Sequence, residues 1–159
     1  MINAPSDDCV QDENKTALHK IHKAIEDLTA QERNARKSTR THVDKAKARF
    51  DCENQRGAIM SMRKCHKLQA EQAKILEAIG YLRTLEAELE SHVLLASKIC
   101  NDPVLGRRSS LACKGMSKFT SFESKVQRIL SCDQIREPED EAPSDEAILS
   151  ELASMTQTR

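Results

Sequence analysis

Aliphatic residues recur three and four positions apart near the start of the chain, at Leu18, Ile21, Ile25 and Leu28. That spacing places them on one stripe of a helix. Continued, the register passes through Glu32, Ala35, Thr39 and His42, and the stripe loses its apolar character. No Gly or Pro follows until Gly57. The pattern predicts one long helix from about Asp12 to about Phe50. Asp51 to Gly57 then reads as a turn, because Asn54 and Gly57 tolerate turn conformations.

A second long helix is predicted from about Arg56 to Cys100. Leu68, Ile75, Leu82, Leu89 and Ala96 repeat every seven residues, beside a column of Cys65, Gln72, Ile79, Glu86, Val93 and Cys100. Heptads sustained over this length argue for coiled-coil-like packing. Gly80 lies inside this helix at a cost in propensity and is read as a bend or a close helix contact. The two helices match in length and can pair antiparallel. Asn101-Asp102-Pro103 ends the second. A short, weakly propensive helix is expected over 104–118. Another follows the Phe119–Phe122 joint, with Phe122, Val126, Ile129 and Leu130 on its apolar side, to about Arg136. Glu137 to Pro143 is an acidic linker bounded by prolines. Ser144 is the N-cap candidate of a last helix, with Asp145 and Glu146 suited to its positive end. Ile148, Leu152 and Met155 make its apolar stripe, with Leu149 beside them. A helix this short must dock, on its own hairpin or in a partner's groove.

The expected fold is therefore all-α: a long antiparallel helical hairpin with two short satellite helices and a C-terminal docking helix. Residues 1–14 form a flexible acidic N-terminus and 15–136 a helical core, its hairpin over about 12–100 and its short helices over about 104–136. Residues 137–159 are the acidic linker and Leu-rich tail. Aromatic residues make up only 3 % of the chain, which favours narrow helical seams over a thick core.

Charge changes this picture more than composition does. Lys15 to Lys67 carries 14 Lys/Arg against 6 Asp/Glu, while Asp133 to Glu151 carries 8 acidic residues against the single Arg136. A balanced total of 25 against 25 hides a basic first half and an acidic tail. The first half is suited to an anionic surface, and the tail to folding back on it.

Several classes of chemistry lack their residues. No apolar run approaches the length of a membrane span. The start, Met1-Ile2-Asn3-Ala4-Pro5, has neither a secretory pattern nor the Gly needed for myristoylation, so a cytosolic location is expected, with any contact with endosomal or other membranes peripheral. The six cysteines stand singly, without a CxxC pair, and are expected to be reduced. His19 and His22 have helical spacing, but no second ligand pair stands near them; they read as surface histidines, and no metal or cofactor is expected. There is no phosphate loop or nucleophile motif, so enzymatic activity is not expected. Nucleic-acid binding would have the charge but not the stacking aromatics.

The order of elements resembles that of ESCRT-III subunits, the charged multivesicular body proteins. Arg56-Gly57-Ala58-Ile59-Met60-Ser61-Met62-Arg63-Lys64 looks like the start of the family's second helix. Leu82-Arg83-Thr84-Leu85-Glu86-Ala87-Glu88-Leu89-Glu90-Ser91 is similar to its late Leu-Glu segment, and Val126-Gln127-Arg128-Ile129-Leu130 to the start of its fourth helix. Asp145 to Leu152 resembles the terminal helix, although Glu151 and Thr156 stand where one version of that motif has Arg and Lys. The chain also lacks the nucleating subunit's Gly and the N-terminal amphipathic anchor, and its segment between Leu130 and Asp145 is short.

The resemblance implies a subunit that polymerises with other ESCRT-III-like subunits on anionic membranes. It would remodel or sever membrane necks in endosomal sorting, restrained by its acidic tail. Arg33, Arg36, Lys37, Arg40, Lys45, Lys47, Arg49, Arg63, Lys64 and Lys67 are the candidate membrane-binding residues. Any one of them has a solvated helix face as its ordinary role; the set is what carries the reading. Asp145, Ile148, Leu149, Leu152 and Met155 are the candidate tail residues for an AAA ATPase or adaptor. The alternative is a soluble coiled-coil adaptor that never touches lipid.

Overall fold

A computed structural model describes residues 7–100, 122–131 and 143–157. Its described elements are four helices: α1 (Asp7–Asp51), α2 (Gln55–Cys100), α3 (Phe122–Leu130) and α4 (Asp145–Thr156). The fold is all-α, with α1 and α2 packed as a hairpin. The helix expected over 104–118, the end of the fourth helix near Arg136 and most of the acidic linker lie outside the described residues. Helix α1 starts at Asp7, ahead of the expected Asp12. Asp7 to Asn14 contains no Gly or Pro to stop it, and its acidic residues suit a helix N-terminus.

The hairpin turn is shorter than expected and is built differently. Asn54 N–H donates to Arg49 O at 2.9 Å and Glu53 N–H to Phe50 O at 3.0 Å, closing α1 with a Schellman motif. The left-handed residue this motif needs is Glu53, with φ 59°, and not Asn54 or Gly57. Asn54 instead caps α2, its Oδ1 accepting from Gly57 N–H at 2.9 Å. A Cβ on Gly57 would stand 2.8 Å from the Asn54 side chain, so glycine makes room for the cap. Arg49 clamps the turn, its Nη1 donating to Gly57 O and Ser61 Oγ, both at 3.0 Å.

Two compact units form, and each long helix contributes to both. In the first (Met1–Thr29 with Glu77–Ile129), Ile21 and Leu28 of α1 are buried, as are Ile79, Leu82 and Leu89 of α2. His22 Nε2 contacts Glu86 Oε1 across the pair. Ala78 and Leu85 are also buried, and neither belongs to the predicted heptad columns. They flank Tyr81 at one-turn spacing, and the Lys125 ammonium of α3 lies 4.4 Å from the Tyr81 ring centroid. Phe122 of α3 is also buried. Gly80 is not a close contact: it lies within the continuous α2, and a Cβ there would meet nothing within 4 Å.

The second unit (Ala30–Leu76 with Leu130–Arg159) holds the turn and α4. Its seam carries a polar rung: Gln72 Nε2 donates to Glu32 Oε1 at 2.6 Å, and the Arg36 guanidinium lies 3.3 Å from the same oxygen. Glu32 is only 9 % exposed, so these partners offset its lost hydration. Nearer the turn, Ala46, Ala58 and Met62 form an apolar cluster with Ile148 and Leu152 of α4. Phe50, Ile59 and Met155 pack around it.

Candidate functional site

All fifteen candidate residues fall within the second unit. The tail helix supplies its apolar side to its own hairpin. Ser144 caps it as expected, Oγ accepting from Ala147 N–H at 3.2 Å. Ile148 and Leu152, four residues apart, are fully buried, and Leu149 and Met155 are half-buried. Alanines at 46 and 58 let α4 approach, because a larger residue would fill the seat.

Two polar contacts edge the docked helix. Arg63 Nη2 lies 2.7 Å from Asp145 Oδ1, with both side chains more than half exposed. His66 Nε2 lies 3.2 Å from Glu151 Oε2 in a more sheltered position. Glu151 also sits close enough to Cys65 to affect its thiol. Burial first, and then the Glu151 charge, raises the Cys65 pKa above its ordinary value. Sequence reasoning missed His66 and Cys65 as tail partners. The only available signal was Glu151, an acid placed beside the Ile148–Leu152 stripe.

The ten candidate cations do not form one face. At about 100° per residue, Arg33, Arg36, Lys37, Arg40 and Lys47 share a sector of about 100° on α1, while Lys45 and Arg49 project well outside it. Arg36, Arg49 and Arg63 already have partners within the unit. Arg33, Lys37, Arg40 and Lys45 are exposed on α1, and Lys47 is half-buried. On α2, Lys64 and Lys67 are exposed beside Arg63. Docking of α4 therefore engages one of the ten cations through an ion pair, and the rest of its hold is the apolar cluster and the His66–Glu151 contact.

Among the described residues no group of His, Cys, Asp and Glu is placed to hold a metal ion, and no helix is long and apolar enough to cross a membrane. Compared with known proteins, the chain matches no family model, no curated protein and no solved structure.

Proposed function

We propose that the chain is an ESCRT-III-like subunit that assembles on anionic membranes to remodel them, with α4 as a releasable restraint. The observation that carries this reading is α4 docked on the turn end of the second unit, through Ile148 and Leu152 and the Arg63–Asp145 pair. It supports the reading because a helix reached through an acidic segment covers an apolar seat on a basic hairpin. Once released, it frees both that seat and Arg63. The tail would then be available to an AAA ATPase or an adaptor. The exposed cations of α1 and α2 supply the attraction to anionic lipid, each adding on the order of 1 kcal/mol near the surface and less in salt.

The test is sedimentation with phosphatidylserine vesicles, comparing the full chain with one lacking residues 137–159, followed by electron microscopy of both. Stronger pelleting and filaments after removal are the expected result. A small oligomer that ignores vesicles in both forms would overturn the membrane reading in favour of the coiled-coil adaptor.

A further inference from the structure

Helix α2 opens with a stretch that no requirement of the fold explains. From Gln55 to Ala70 there is no acidic residue, although a chain with 25 acids in 159 residues would place about two or three in such a window. The same stretch carries Arg56, Arg63, Lys64 and Lys67, all exposed. Met60 stands among them and is 55 % exposed. It lies four residues from Arg56 and Lys64 and three from Arg63, so all are its neighbours on the helix surface. At about 100° per residue the five side chains span a sector of about 100°, with Met60 near its middle. The buried residues Ala58, Met62 and Cys65 lie roughly opposite.

A single exposed apolar side chain is ordinary. One set among four cations, with no acid in the window, has the layout of an interfacial helix, where basic side chains meet phosphates and an apolar one enters the acyl boundary. We infer that the outward stripe of α2, Arg56, Met60, Arg63, Lys64 and Lys67, is a contact surface for an anionic bilayer, with Met60 as its inserting side chain. This rests on the membrane reading above, and adds an apolar contact to a binding otherwise made of charge. The surface is the convex side of one helix and has no groove, which suits a lipid plane better than a peptide. Methionine is unbranched and adaptable, and fits a disordered boundary. With α4 docked, only Arg63 of the stripe is occupied, by Asp145. The other four side chains face outward in the restrained chain too.

The chain contains no tryptophan, so Met60→Trp creates a single fluorescent reporter in the full-length protein. Ala48→Trp, at an exposed position on α1, is the comparison. With phosphatidylserine vesicles, the Trp at position 60 should shift to the blue and be quenched by brominated acyl chains, and the Trp at position 48 should do neither. Met60→Gln should lower vesicle partitioning about fivefold at both low and high salt. Lys64→Gln with Lys67→Gln should lower it about 25-fold at low salt and little at high salt. If position 48 is quenched and position 60 is not, or if Met60→Gln partitions normally, the stripe is the wrong surface although the membrane reading stands. If no variant partitions and neither the wild type nor the chain lacking residues 137–159 pellets, the membrane reading itself fails. A blue shift at position 60 given equally by polyglutamate without lipid would assign the stripe to an acidic polypeptide and overturn the inference.

Discussion

Truncating Leu152 to alanine tests what holds the tail. Leu152 is fully buried in the cluster with Ala46, Ala58, Met62 and Ile148. Removing its terminal carbons loses their transfer energy and leaves a cavity; such changes cost about 2–5 kcal/mol. Taking about 3 kcal/mol, the docking equilibrium moves about a hundredfold toward release. A helix of 12 residues is marginal on its own, so release melts α4 and exposes its amides. Hydrogen exchange read by mass spectrometry over 145–157 reports this directly, and protection there should fall by about that factor. The contrasting variant is Asp145→Asn. Its pair with Arg63 has side chains 58 % and 59 % exposed, and an exposed ion pair contributes about 1 kcal/mol at most. Protection should then fall no more than about fivefold. If Asp145→Asn loosens α4 as much as Leu152→Ala, or if Leu152→Ala leaves exchange unchanged, the docking is not apolar in origin and the reasoning fails.

Three further outcomes are expected. Gly80→Ala should raise stability by about 1 kcal/mol in denaturant titration, because the new methyl meets nothing and the helix gains propensity. Glu53→Gly should also stabilise, by about 0.5–1 kcal/mol, since it relieves a left-handed backbone at φ 59°; a destabilised variant would mean that the Glu53 side chain contributes more than its strain. Cys52 is exposed and should be alkylated quickly at neutral pH. Cys65 is buried, its thiol held protonated above its ordinary range by burial and then by Glu151, and should react only at higher pH or after α4 is released by Leu152→Ala. Equal rates at the two cysteines in the wild type, measured by peptide mapping, would contradict that burial.

The hairpin was legible because its seam is written twice, as Ile21 and Leu28 on α1 and as Leu82 and Leu89 on α2, at spacings only a helix satisfies. The tail was legible for the same reason, together with its Ser144 cap. The burial of Ala78 and Leu85 was not, because neither stands on the heptad columns by which the seam is read. The turn showed where chemistry overrides propensity. Asn54 and Gly57 looked like the left-handed residues, but Asn54 was needed as a cap and Gly57 as clearance for it, which left Glu53 to take the strained position. The candidate cations were visible as a count but not as a surface. Charge totals ignore the angular position of each residue, and Lys45 and Arg49 drop out once that is included. The His66–Glu151 contact joins residues 85 positions apart, and nothing local announces it.

The bond between Gln72 and Glu32 also limits how this part of the molecule can change shape. Two greasy ribs can shear lengthwise, because one aliphatic neighbour replaces another at little loss. A sheltered carboxylate bonded to an amide opposes such slippage, because a shift that parts them leaves the carboxylate short of a donor. That one rung favours detaching whole pieces, as in the proposed release of α4, over sliding one strut along the other.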